Sequence, residues 1–147
     1  MQFLDSNILL YAISGDPKDE EKSAIAASVL QSSNLALSVQ VLQEFYVQAT
    51  RITRAHRLSH NEAQAFIESW LRFPVQEMTV PVLRAAMASA KRFQLSYWDA
   101  AILEAARALK CREVLSEDFT PGRNYGGVRV TNPFEAISGR PRPKRRL

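Results

Sequence analysis

Four acidic side chains stand where this sequence could build a reaction centre. Asp5 closes a short apolar segment, and Glu44 lies in an apolar helical stretch with Leu42 and Phe45 beside it. Asp99 falls in the first turn of a late helix, and Asp118 comes just after another short apolar run. Carboxylates gathered in one shallow site repel one another unless a cation neutralises them. Mg²⁺ and Mn²⁺ favour such oxygen ligands and keep some of their waters. A metal held this way lowers the pKa of a bound water and stabilises charge growing on a phosphodiester.

Each acid also has a local explanation. Asp is a favoured helix N-cap, which would account for Asp5. Ser96-x-x-Asp99 has the form of a capping box with Asp in place of Glu. Asp118 suits a turn, and Glu117 beside it competes for the same role. Glu44 is the hardest to explain locally, because a carboxylate buried without a partner is costly. Neither histidine is expected to act as a zinc ligand or general base: His56 and His60 sit four apart in a polar helix connection, with Arg57 between them.

The elements that must position these acids can be read from apolar patterning. Short strands are predicted at residues 1–4, 35–38, 75–78, 113–116 and 128–131, with the turn-rich stretch 120–127 between the last two. Helices are predicted at 8–12, at 19–30, from 41 towards 55, from the capping-box sequence Ser59-His60-Asn61-Glu62 to Pro74, and at 79–93 and 96–109. Strands alternating with helices give an α/β class: an α/β/α sandwich around a central, mostly parallel sheet of about five strands. Ligands collect beyond the carboxyl ends of such strands. Asp5, Glu44, Asp99 and Asp118 are therefore expected on one rim.

With 147 residues, 46% of them apolar and 23% charged, the chain suits one soluble domain rather than a disordered, collagen-like or disulfide-built protein. The net charge of +4 belongs to one end. Of 19 basic residues, Arg140, Arg142, Lys144, Arg145 and Arg146 fall in the last eight positions, leaving 14 against 15 acidic ones. The expected division is a single domain at 1–136 and a basic tail at 137–147, extended by Pro141 and Pro143. No apolar run is long enough to span a bilayer, no secretory signal is expected, and lone Cys111 fits a reducing cytoplasm.

The motifs then gain a family meaning. Leu4-Asp5-Ser6-Asn7-Ile8-Leu9-Leu10-Tyr11 resembles the opening of a PIN domain, and Leu37 to Tyr46, carrying Glu44, resembles its second block. Leu95-Ser96-Tyr97-Trp98-Asp99-Ala100-Ala101-Ile102 is similar to the third block, and Val114-Leu115-Ser116-Glu117-Asp118-Phe119 to the fourth. Asn132-Pro133-Phe134 resembles the closing strand, while Ala101 stands where a larger aliphatic is common. The nearest resemblance is to VapC-type toxins of bacterial toxin–antitoxin pairs.

That resemblance implies a metal-dependent endoribonuclease in which Asp5, Glu44, Asp99 and Asp118 hold Mg²⁺ or Mn²⁺ and Asn7 and Ser116 orient ligands or water. It also implies an RNA substrate, a homodimer and a cognate antitoxin that covers the acids. An acidic site needs cations nearby to hold RNA, and Arg51, Arg54, Lys91 and Arg92 are the candidates, with Arg57 and the tail. Tyr97 and Trp98 could stack on a base, although Trp98 equally suits a core anchor. Two other readings remain. One is a DNA nuclease or phosphatase of similar build, although Asn7 breaks an Asp-x-Asp motif and no Gly-rich phosphate loop is present. The other is a non-catalytic module binding RNA or a partner through the tail.

Overall fold

The computed structural model describes residues 1–138. Strand β1 (Gln2–Leu4) sits between β2 (Leu35–Ser38) and β4 (Glu113–Leu115), parallel to both. Beyond β2 lies β3 (Val75–Gln76), and beyond β4 lie β6 (Val128–Thr131) and β5 (Asn124–Tyr125), giving the order β3-β2-β1-β4-β6-β5. Phe3, Leu4, Leu35, Ala36 and Leu37 are all fully buried. Successive strand residues point to opposite faces, so both faces of the sheet are covered. Each large side chain buried this way contributes about 1.5–3 kcal/mol.

The five expected strands are present, and among the described residues β5 adds a sixth, antiparallel to β6. It lies in the stretch read as turn. Gly126 and Gly127 join Tyr125 to Val128 with φ of 64° and 99°. A two-residue hairpin of this kind needs positive φ at both central positions, which glycine supplies without strain. A two-residue strand beside such a turn carries no alternation to recognise. β3 is shorter than the predicted 75–78, because Glu77 and Met78 are exposed and Thr79 already caps the next helix.

Helix α1 (Ser6–Ala12) follows β1, and a 3-10 turn at Pro17–Asp19 leads into α2 (Glu20–Val29). Ser38 ends β2 and caps α3 (Val39–Ala49), its Oγ accepting from Val41 N at 3.2 Å. α3 stops six residues short of the predicted 55. The Thr50 hydroxyl donates back to Tyr46 O, and Leu58 N closes on Ala49 O at 2.8 Å, folding the intervening residues into a loop. α4 (His60–Trp70) begins with the predicted reciprocal capping box of Ser59 and Glu62.

α5 (Val80–Phe93) and α6 (Tyr97–Ala108) are separated by Gln94, which turns the chain at φ 56° and donates to Ala90 O. They approach through small residues, Ala86 and Ala90 on one side and Ala100 and Ala101 on the other. This contact accounts for alanine at 101. Asn132-Pro133-Phe134 is not a strand. Asn132 Oδ1 accepts from Phe134 N at 2.7 Å, Pro133 has no N–H to offer a ladder, and the turn sets Phe134 edge-on against Tyr11 before α7 (Glu135–Ser138). The expected basic tail lies outside the described residues except for 137 and 138, which belong to α7. No helix among the described residues is long and apolar enough to cross a membrane.

Candidate active site

From β1 the chain leaves for β2 on one side and reaches β4 on the other, so the strand order reverses at β1. The crevice at the carboxyl ends of β1 and β4 is thus the expected ligand position. Asp5 extends β1 by one residue, donating its N–H to Leu115 O at 3.0 Å. It caps α1 as predicted: Oδ1 accepts from Ser6 N at 2.8 Å. Capping uses only part of the carboxylate, for Oδ2 accepts from the Ser116 hydroxyl at 2.7 Å.

Ser116 follows β4 and is fully buried. A serine hydroxyl has one proton to give and two lone pairs to receive. Here it gives to Asp5 and receives from Asn7 Nδ2 at 3.2 Å and Asp118 N at 3.1 Å. All three capacities are used, which fixes its orientation. Asn7 Nδ2 also donates to Asp118 Oδ2 at 3.0 Å, bringing that exposed carboxylate to the same place.

Glu44 enters from α3. Its Oε2 accepts from the Ser6 hydroxyl at 3.0 Å and its Oε1 from Gln40 Nε2 at 3.0 Å. One connected chain of hydrogen bonds therefore runs from Gln40 through Glu44, Ser6, Asp5, Ser116 and Asn7 to Asp118. Gln40 Nε2 also donates to Trp98 O at 3.1 Å, which ties the first turn of α6 to this rim. Asp99 is buried in that turn, its N–H donated to the capping Ser96 Oγ at 3.2 Å. Trp98 itself is 63% exposed, so the core-anchor alternative is set aside.

Sequence reasoning missed Ser6 and Gln40. Gln40 was within reach of it, since residues four apart share a helix face. Ser6 gave no signal beyond its place between Asp5 and Asn7. The network around Glu117 was also missed. Tyr11 Oη donates to Glu117 Oε1 at 2.6 Å, and Lys22 Nζ reaches Oε2 at 2.9 Å while lying over the Tyr11 and Phe134 rings. Both Glu117 oxygens are engaged there, by Tyr11 and Lys22, whereas Asn7 holds Asp118. Burial, joined by the hydrogen bond and charge of Glu117, pushes the Tyr11 phenol up to about 12. Burial pulls Lys22 down, but its bonds to Glu117 and Tyr11 and the charge of Glu117 outweigh it and leave Lys22 above its ordinary value.

The cation candidates separate. Arg54 in the α3–α4 loop joins Asn7, Leu10, Tyr11, Asp19 and Glu117 in lining a cavity of about 250 Å³. Arg51 and Lys91 are exposed. Arg92 lies over the Phe93 ring and beside Gly126, in the hairpin at the amino end of the strands, opposite the carboxylates. His60 Nδ1 is hydrogen-bonded to Tyr46 Oη at 2.9 Å.

Among the described residues, no three His, Cys, Asp or Glu side chains are grouped closely enough to form a ready metal cage. The donor set nonetheless fits a hard cation. Every group on the rim is a carboxylate, amide or hydroxyl oxygen, the ligand type Mg²⁺ and Mn²⁺ prefer. Asn7 Oδ1 and Gln40 Oε1 are buried amide oxygens with no hydrogen-bond partner among the described residues. Such acceptors call for water or an ion beside them.

An α/β sandwich with acids at its switch point belongs to the class of open-sheet proteins that take their ligand beyond the carboxyl ends of the strands, and comparison with known proteins narrows it. The sequence profile of the PIN domain matches residues 3–121. The chain belongs to the PIN-domain family of nucleases. Its fold is similar to that of a toxin–antitoxin complex from Klebsiella pneumoniae, at 20% identity and TM-score 0.67, covering 92% of this chain and 99% of that one. It is similar also to Mycobacterium tuberculosis VapC20, a sarcin–ricin loop cleaving toxin, at 19% identity and TM-score 0.61, covering 78% and 87%. VapBC2 from Rickettsia felis, bound to a DNA fragment from its promoter, aligns at 15% identity and TM-score 0.60, covering 89% and 97%. No curated protein sequence matches.

Proposed function

We propose that this chain is a metal-dependent endoribonuclease that hydrolyses RNA phosphodiesters, acting as the toxin of a type II toxin–antitoxin pair. The observation that carries the reading is the continuous hydrogen-bonded chain from Gln40 to Asp118, which orients acids from three separate segments at the switch point. Asp5, Glu44, Asp99 and Asp118 would hold Mg²⁺ or Mn²⁺, directly or through water, and the bound ion supplies an activated water and stabilises charge on the phosphodiester. Ser116 and Asn7 hold the Asp5 and Asp118 carboxylates in fixed directions, and Ser6 and Gln40 do the same for Glu44. Arg54 shares a cavity with Asn7 beside the acids, and exposed Arg51 and Lys91 are offered for the RNA backbone, whereas Arg92, at the opposite end of the sheet, is not.

The partners follow the same reading. VapC20 is a toxin that cleaves the sarcin–ricin loop, and the Klebsiella relative is part of a toxin–antitoxin complex. A cognate antitoxin is therefore the proposed protein partner, in the cytoplasm. A homodimer is supported by Val80, Leu83 and Met87, which leave one stripe of α5 apolar and exposed.

The test is incubation of antitoxin-free protein with total RNA and Mn²⁺ or Mg²⁺, beside EDTA and Asp99→Asn controls. Bands that need metal and disappear in a folded Asp99→Asn protein are expected. Cleavage at the wild-type rate by that variant would overturn the assignment.

A further inference from the structure

We propose that the cavity lined by Asn7, Leu10, Tyr11, Asp19, Arg54 and Glu117 is a nucleobase pocket that takes an unpaired guanine of the substrate beside the scissile bond; this rests on the ribonuclease reading. The cavity lies at the site, because Asn7 both lines it and donates to Asp118 Oδ2 at 3.0 Å. Its volume of about 250 Å³ falls just below the roughly 300–1,000 Å³ of pockets for drug-sized ligands, which suits one heterocycle.

The lining chemistry selects among heterocycles. Arg54 is half-buried and forms no ion pair among the described residues, so its guanidinium offers donors to the cavity. Glu117 is neutralised by Lys22 at 2.9 Å, and Asp19 takes the Ser14 hydroxyl at 2.7 Å. Each carboxylate keeps lone pairs for further donors. Arg54 and Asp19 then balance in charge, which favours a neutral ligand over a phosphate. Guanine presents O6 and N7 acceptors, which arginine matches in a bidentate pair, and N1–H and N2–H donors on another edge for a carboxylate. Leu10 and the Tyr11 ring supply an apolar wall. Unpaired RNA bases are commonly recognised by such a combination of edges and faces.

The pocket can be tested without catalysis. The full chain in EDTA would be titrated with guanosine 5′-monophosphate, adenosine 5′-monophosphate and ribose 5-phosphate, and backbone amide shifts followed by NMR. Guanosine monophosphate is expected to shift Leu10, Tyr11, Asp19 and Arg54, binding about tenfold tighter than the other two, and Arg54→Ala and Arg54→Lys should each erase that preference. Equal shifts from ribose 5-phosphate, or none from any of the three, would overturn the pocket. In parallel, mapped cut sites in RNA should be biased to guanine for the wild type and lose that bias in Arg54→Ala. An unchanged pattern would overturn the pocket and leave the nuclease standing. Guanine binding by a wild-type protein that cuts no RNA would do the reverse.

Discussion

Glu44 on α3 and Glu104 on α6 are both drawn away from solvent, and the fold treats them differently. Glu104, 7% exposed, accepts from the Ser89 hydroxyl at 3.0 Å and is paired with Arg107 at 2.9 Å. The same guanidinium donates to Tyr125 O at 2.7 Å and Gly126 O at 2.6 Å, fastening the β5–β6 hairpin to α6. Glu44 is half-buried and is held by Ser6 and Gln40, neutral donors that orient a charge without cancelling it. An acid that serves structure brings its counter-ion with it. An acid aimed by hydroxyls and amides keeps its charge available for something else.

Exchanging these environments should give opposite phenotypes. Glu44→Gln keeps size and removes charge, so metal-dependent RNA cleavage should fall by at least about 100-fold, beyond the usual range for groups that only orient a metal ligand. Its melting temperature should stay close to wild type. Arg107→Ala strands Glu104 and frees the hairpin, costing about 3 kcal/mol and lowering the melting temperature by about 10 °C. Cleavage per folded molecule should not change, and a loss of activity equal to that of Glu44→Gln would erase the distinction.

A smaller effect is expected at Ser116, which serves Asp5, Asn7 and Asp118 N together. Ser116→Ala should reduce cleavage about 10–100-fold and cost about 1–2 kcal/mol, measured by single-turnover kinetics and urea unfolding. Structure and orientation meet in this residue, so both readouts should move.

The smallest effect belongs to Tyr11 and Lys22. Both hold their protons more tightly in the folded chain than in the unfolded one, Tyr11 up to about 12. As pH rises past their ordinary values near 10, the unfolded chain releases protons first, so stability falls from about pH 10 through 12. Urea midpoints at pH 9 and 11.5 should show this decline, and Tyr11→Phe should flatten it. A decline as steep in Tyr11→Phe as in wild type would place its cause elsewhere.

Much of this was legible in the chain. The segments at 1–4, 35–38, 113–116 and 128–131 became strands because each is short and bounded by turn chemistry, the first three mostly buried and the last alternating buried Val128 and Val130 with exposed Arg129. The Ser59–Glu62 box and the Asp5 cap are local contacts that a sequence displays directly. The coarse convergence of Asp5, Glu44 and Asp118 followed from topology. The bonds that complete it did not, since Ser6 meets Glu44 across 38 positions and Tyr11 meets Glu117 across 106. Contacts at that separation leave no periodic trace. β5 escaped because two residues against a glycine turn show no pattern, and α3 ended early through the Thr50 side chain and the closure of Leu58 on Ala49.

The most direct test of the rim is calorimetric titration of Mn²⁺ into wild type, Glu44→Gln and Arg107→Ala, below the melting temperature of each. Wild type and Arg107→Ala should bind alike, and Glu44→Gln should bind at least about tenfold more weakly. Equal affinity in Glu44→Gln and wild type would contradict the assignment of Glu44 to a metal site.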